Sequence, residues 1–186
     1  MTNLNDVDWS KLPQPEDDGA ASHLKGLELP PLGLRSTDGT MVDLSTLPGL
    51  SVVYVYPMTG QPGTPLPNGW DDIPGARGCT PQSCAFRDHN AELRTLGATY
   101  LFGLSTQSTD YQAEAAARMH LPFALLSDAD LAFAKALKLP TFQVDSMELL
   151  KRLTLIIQNG KIIKYFYPVF PPDRSAADVI TWLQSR

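Results

Sequence analysis

The apolar positions of this chain fall into short, nearly continuous runs separated by segments with helical spacing. Leu50-Ser51-Val52-Val53-Tyr54-Val55-Tyr56 is β-branched and aromatic and stops at Pro57, which predicts a central strand buried on both faces. Tyr100 to Leu104 predicts a second buried strand, and Ala124-Leu125-Leu126 a short third one. Leu32 and Leu34, then Met41-Val42-Asp43-Leu44, flank Asp38-Gly39 as in a hairpin. Leu153 to Ile157 and Lys161 to Tyr167 flank Asn159-Gly160 and predict another, with a two-residue turn. Four helices fit between and after these strands. Thr80 as N-cap and Pro81 as N1 open one whose Phe86, His89, Leu93 and Leu96 mark a single face. Thr109 with Gln112 reads as a capping box for a helix to about Met119, and Asp128 opens another to about Leu137. Ser175 with Asp178 caps the last, whose Val179, Trp182 and Leu183 face the sheet. Strands alternating with helices, followed by a hairpin and a final helix, predict an α/β fold: a mixed sheet with helices on both faces.

Two stretches lack periodicity. Residues 1–25 hold Pro13, Pro15 and the Glu16-Asp17-Asp18-Gly19 cluster, and read as a loosely ordered or wrapping arm ahead of a single domain at 26–186. Residues 58–78 are rich in Gly and Pro, a loop long enough to suggest function or mobility. Of the 186 residues 43% are hydrophobic and 19% charged, ordinary for a globular protein. A net charge of -5 without a basic stripe argues against nucleic-acid binding. No run reaches the length of a membrane span, and the first residues lack the basic and apolar regions of a signal peptide. The expectation is a cytoplasmic protein without a membrane partner, in which two cysteines are a reactive pair rather than a permanent bridge.

Those two cysteines are Cys79 and Cys84, at the junction of the Gly/Pro-rich loop with a helix. Helix N-termini carry unpaired N–H groups and a partial positive charge, which favour the charged, nucleophilic form of a thiol beside them. Arg77 and Arg87 could add to that effect. Cys84, beside Ala85 and Phe86, also fits an ordinary buried residue. If both lie in or at the helix, their spacing gives about 7.5 Å of rise and roughly 8–9 Å between Cα atoms. A disulfide needs about 4.4–6.8 Å, so bridging them would require unwinding the first turns. A zinc site with His89 as third ligand is the other reading, against which C-x4-C is poor metal spacing.

The chain from about residue 26 to 185 resembles a peroxiredoxin, of the bacterioferritin-comigratory-protein (PrxQ-like) branch. The resemblance rests on an ordered set of stretches. Val52 to Pro57 comes first, then Gly78-Cys79-Thr80 with Cys84, and Phe86-Arg87-Asp88. Gly103-Leu104-Ser105, Leu121-Pro122-Phe123 with Leu126-Ser127-Asp128, and Arg152-Leu153-Thr154 before Asn159-Gly160-Lys161 follow. It implies a thioredoxin-like fold with peroxiredoxin-type additions, into which 58–78 is a long insertion before the active-site helix. It further implies that Cys79 is the peroxidatic and Cys84 the resolving cysteine, that Arg152 holds the thiolate and peroxide, and that Pro57 shields the pocket. The family motif has a threonine three residues before the peroxidatic cysteine; here Ala76 stands there, and Thr59 is the candidate for the missing hydroxyl, ahead of Thr64 and Thr80. Thr59 also fits a plain turn residue, and Trp70 either a lid or an anchor of the insertion. The implied activity is reduction of hydrogen peroxide or alkyl hydroperoxides, recycled by a thioredoxin-like dithiol, with no metal or organic cofactor. A monomer or weak homodimer suffices for that cycle. A peroxide-responsive redox sensor or regulatory binding protein would use the same thiols.

Overall fold

The computed structural model describes residues 7–186. Its strands are β1 (Gly33–Ser36), β2 (Met41–Asp43), β3 (Leu50–Val55), β4 (Ala98–Ser105), β5 (Leu125–Ser127), β6 (Thr141–Val144), β7 (Met147–Leu150), β8 (Leu153–Gln158) and β9 (Lys161–Phe166). Its α-helices are α1 (Cys79–Asp88), α2 (Asn90–Thr95), α3 (Thr109–Arg118), α4 (Ala132–Leu137) and α5 (Ser175–Gln184). Seven strands form one sheet in the order β2-β1-β5-β4-β3-β8-β9, and β6 and β7 form a separate hairpin. β3 runs parallel to β4 and antiparallel to β8, so the sheet is mixed.

Every residue of β3 is buried, and its alternating side chains supply two cores. Val53 and Val55 join Leu104, Leu155 and Ile157 against α4 and against Ala21 and Leu24 of the N-terminal arm. Val52 and Tyr54 face the other way, onto Phe86 of α1, Leu93 of α2 and Val179 of α5. The Tyr54 ring stacks on Phe86 at 4.5 Å, and its hydroxyl donates to Ser83 Oγ at 3.1 Å. The central strand thereby packs directly against α1.

Several helix ends differ from the sequence expectation. α1 starts at Cys79, with Gly78 as its N-cap at φ 109, so Cys79 is the first helical residue and Pro81 the third. Proline is tolerated there because first-turn N–H groups have no intrahelical acceptor. The helix also breaks at His89. Phe86 and Leu93 stay on one buried face across the break, but the His89 ring turns out to meet Glu92. Ser108, not Thr109, caps α3, and the buried Gln112 donates to Ser105 Oγ and the Leu126 carbonyl. Asp128 lies ahead of α4 and accepts from the Phe133 and Ala134 N–H groups. Ser175 is no cap: it opens α5 with its hydroxyl turned into a buried network.

Residues 7–25 of the arm lie along the domain, while 1–6 fall outside the described residues. Trp9 Nε1 donates to Asp173 Oδ2 at 2.9 Å, and its ring meets Phe170 edge-on. Farther along, Asp18 accepts from Lys151 Nζ and from the Tyr167 hydroxyl, each at 2.8 Å. The loop of residues 58–78 is packed against the domain as well. Trp70 is buried and packs with Ala76, Val144 and Leu149 on the β6–β7 hairpin.

Two predictions follow from these contacts. A Cβ at Gly78 would stand 2.7 Å from Pro172 Cγ and Trp9 Cη2, on a backbone at positive φ. Gly78→Ala is therefore expected to cost about 2 kcal/mol or more, read as a lower urea midpoint at unchanged slope. The Lys151 ammonium, then the Ala20 N–H and the Tyr167 hydroxyl, hold the Asp18 carboxyl at about 2, against an ordinary 3.8. Because the folded state favours the carboxylate, its stabilisation is present above the ordinary value and fades as pH falls towards about 2. Melting temperatures of wild type and Asp18→Asn should differ near neutrality and converge across that window; a gap constant with pH would contradict the assignment.

Candidate active site

Cys79 occupies the first turn of α1, where the backbone N–H groups lack intrahelical partners. Its Sγ is nearly buried and has two hydrogen-bond partners among the described residues. Arg152 Nη2 donates to it at 3.2 Å, and the Ala76 carbonyl lies at 3.7 Å. Arg152 comes from the opposite side, just before β8, and is itself only 3% exposed. Its guanidinium donates to the carbonyls of Gly75, Ala76 and Arg77 at 3.1–3.3 Å, and to Gln82 Oε1. Gln82 Nε2 donates in turn to Ser175 Oγ at 3.3 Å, and Ser175 Oγ lies 3.2 Å from Thr154 Oγ1.

No carboxylate pairs with Arg152 among the described residues. A buried cation surrounded by neutral carbonyls is costly, and the one ionisable group within hydrogen-bond distance is the Cys79 sulfur. The guanidinium is therefore placed to stabilise negative charge that develops at the sulfur or on an oxygen arriving beside it. Tyr54 and Tyr56 lie beneath; burial pushes both phenols above their usual range.

Cys84 sits in the second turn of α1, half-buried, and both cysteines are free. Burial pushes its thiol up, with Arg87 beside it pulling the other way. Inside the helix it is held as a thiol, a poor nucleophile. Arg87 itself pairs with Asp88 at 2.8 Å and donates to the Met119 carbonyl, tying the end of α1 to α3.

Of the residues expected at the site, Cys79 and Arg152 are in direct contact. Pro57 is buried immediately beyond β3, and the residue after it, Met58, reaches the wall of a small cavity at Cys79. Thr59 is fully buried, but its hydroxyl donates to Gln107 Oε1 at 3.2 Å, and its carbonyl accepts from Gln107 Nε2 and the Tyr111 hydroxyl. It does not line the cavity at the sulfur, whereas Thr80 does. Thr64 is exposed. Trp70 both lines that cavity and anchors the insertion through Phe142, 6.2 Å away. No group of three or more His, Cys, Asp or Glu side chains is placed to hold a metal among the described residues. No helix among them is long and apolar enough to cross a membrane. Sequence reasoning missed Gln82 and Ser175 as Arg152's buried support. The visible signal was a glutamine one turn after Cys79, on the face that must meet the sheet.

Residues 24–180 match the Redoxin family model. The chain is 31% identical over 163 residues to a putative chloroplastic peroxiredoxin Q of Oryza sativa subsp. indica, covering 87% of this chain and 67% of that protein. The chain belongs to the peroxiredoxins. Its branch is the PrxQ/BCP-like one. A putative peroxiredoxin bcp of Coxiella burnetii is 28% identical, with 83% and 95% coverage. Among solved structures, peroxidoxin BcpB of Mycobacterium tuberculosis superimposes with a TM-score of 0.70 at 26% identity, covering 88% of this chain and 98% of that one. The mixed sheet with flanking helices is thus the thioredoxin-like fold with peroxiredoxin elaborations. Membership also brings, at family level, a cysteine-based peroxidase mechanism.

Against the peroxiredoxin motif, Ala76 is the departure: it is buried, and its carbonyl rather than a side-chain hydroxyl faces Cys79 and Arg152. That leaves Arg152 as the dominant donor at the sulfur. Arg152→Met should slow oxidation of Cys79 by a stoichiometric peroxide about 10²–10³-fold. Arg152→Lys should recover only part of the loss, because an ammonium cannot reproduce the planar set of donors. Equal rates in a folded Arg152→Met variant would remove the guanidinium from the chemistry.

Proposed function

We propose that this peroxiredoxin reduces hydrogen peroxide and alkyl hydroperoxides by a two-cysteine cycle within one chain. The observation that supports this best is the Arg152 Nη2 contact with Cys79 Sγ at a helix N-terminus, with no carboxylate competing for the guanidinium among the described residues. The Cys79 thiolate attacks the terminal peroxide oxygen, the O–O bond breaks, and the leaving oxygen takes a proton to become water or an alcohol. Cys79 is left as a sulfenic acid, oxidised by two electrons. Arg152 and the first-turn N–H groups of α1 stabilise the charge passing between the oxygens.

Resolution requires α1 to change. Positions five apart in a helix hold their Cα atoms roughly 8–9 Å apart, beyond the roughly 4.4–6.8 Å of a disulfide. Unwinding the first turns removes that obstacle and releases Cys84 from the burial that keeps it protonated. Its thiolate then attacks the sulfenic sulfur, an S–S bond forms, and hydroxide leaves as water with the proton Cys84 gave up. Thiol–disulfide exchange with a thioredoxin-like dithiol returns both thiols. This cycle needs no metal or organic cofactor, and a monomer or weak homodimer suffices. A reducing compartment, the cytoplasm, suits it.

The decisive assay is hydrogen peroxide consumption with thioredoxin, thioredoxin reductase and NADPH. Wild type is expected to turn over and to show a Cys79–Cys84 disulfide by mass spectrometry. Cys79→Ser should lose all consumption. Cys84→Ser should consume about one equivalent and stop. A disulfide that forms without turnover would point instead to a thiol sensor, and a Cys79 that never oxidises would overturn the proposal.

A further inference from the structure

The 58–78 insertion is unexplained by the cycle above, yet six of its residues wall the space at the sulfur. The cavity that contains Cys79 measures only ≈20 Å³. Met58, Leu66 and Trp70 are the large apolar side chains of the insertion in its wall, which Arg77, Thr80 and Pro81 complete. A single water needs roughly 10–15 Å³ of such space, and sites for drug-sized ligands run to about 300–1,000 Å³. The room at Cys79 accommodates a pair of oxygen atoms but no bulky substituent.

The insertion is held at both ends. Near its start the Gly60 carbonyl accepts from Arg118 Nη2 at 2.9 Å, and Thr59 is bound to Gln107 and Tyr111. Near its end Arg77 pairs with Asp71, and Arg152 binds the carbonyls of Gly75, Ala76 and Arg77. Trp70 is clamped on the β6–β7 hairpin. Leu66 differs: it is half-buried, leans over Gly60, and follows the exposed residues 62–65. A second hollow of ≈460 Å³ lies between the arm and the domain and shares Arg152 and Gly75 with the site, but Cys79 is not in its wall.

We infer that the insertion restricts this site to hydrogen peroxide and the smallest hydroperoxides, with Leu66 as the specificity-determining residue that excludes bulky ones. This rests on the peroxidase reading and narrows its substrate class. A substrate group that fits a pocket badly by even one methylene loses about 10–200-fold. A cumyl group must push Leu66 aside altogether.

The test is the single-turnover rate of Cys79 oxidation by hydrogen peroxide, tert-butyl hydroperoxide and cumene hydroperoxide, at equal concentrations, followed by mass spectrometry. Wild type should react with cumene hydroperoxide at least about tenfold more slowly than with hydrogen peroxide. Leu66→Ala should narrow that ratio several-fold, and Leu66→Phe should widen it. Leu66 is varied rather than Trp70 because Trp70 also anchors the loop, and the two substitutions act in opposite directions, so general damage cannot mimic both. Equal wild-type rates, or a ratio unmoved in both variants, would overturn the inference while leaving the peroxidase intact. No oxidation of wild type by any of the three would instead sink the peroxidase reading beneath it.

Discussion

A guanidinium buried without a carboxylate is the constraint on which the site depends. Arg152 is satisfied by three consecutive carbonyls at the end of the insertion, by Gln82 in α1 and by the Cys79 sulfur. Those partners come from separate parts of the chain, so one side chain sets the relative positions of the insertion, the active-site helix and the strand β8. Leaving a buried charge uncompensated costs about 3–5 kcal/mol. In the proposed cycle the same attraction between guanidinium and sulfur would draw the helix back once the thiols were restored. Polarity at the sulfur and, in that cycle, return of the helix would share one origin.

That coupling matters because the two cysteines ask incompatible things of α1. The helical form presents Cys79 to Arg152 and keeps Cys84 half-buried as a thiol. The bridged form would surrender the first turns, and with them the Gln82 contact. No side chain caps the helix, and packing joins Arg152 in holding its start: Gly78 lies under the Trp9 ring and Pro172. A cap made of packing from the N-terminal arm and the turn before α5 can be lifted without breaking a hydrogen bond to the helix itself. The arm thus bears on the stability of the reactive conformation although it contributes no group to the sulfur.

Much of this was legible in the sequence, for identifiable reasons. The hairpins at Asp38-Gly39 and Asn159-Gly160 were visible because those turns need residues that accept left-handed backbone, and the chain there does adopt positive φ at Gly39, Asn159 and Gly160. Strand β3 was visible because a strand buried on both faces is apolar throughout. The contact between Cys79 and Arg152 followed from the family resemblance, not from spacing, since 73 residues separate them. What stayed hidden was decided by tertiary partners. Thr59 looked available for the sulfur by its nearness to Pro57, but Gln107, 48 residues on, takes its hydroxyl. Ser175 had the pattern of a cap, but Gln82 and Thr154 claim it. The β6–β7 hairpin has strands of only four residues, too short for the alternation of Thr141-Phe142-Gln143-Val144 to stand out from a loop.

The substitution at position 76 is best understood together with the insertion. With alanine there, no side-chain hydroxyl hydrogen-bonds the Cys79 sulfur among the described residues, and the Ala76 carbonyl is turned onto both Sγ and the guanidinium. A backbone carbonyl can only accept, so it orients Arg152 but gives nothing to a peroxide oxygen. The donors left for that oxygen are the guanidinium and the α1 N-terminus, with Thr80 as the hydroxyl-bearing residue of the cavity wall. Those donors are strongest when water is excluded, because the same charges interact more weakly in a high-dielectric site. Met58, Leu66 and Trp70 leave only ≈20 Å³ at the sulfur, little more than the room of one water. The chain lacks the hydroxyl of its family's motif at position 76 and crowds the donors that remain with apolar side chains.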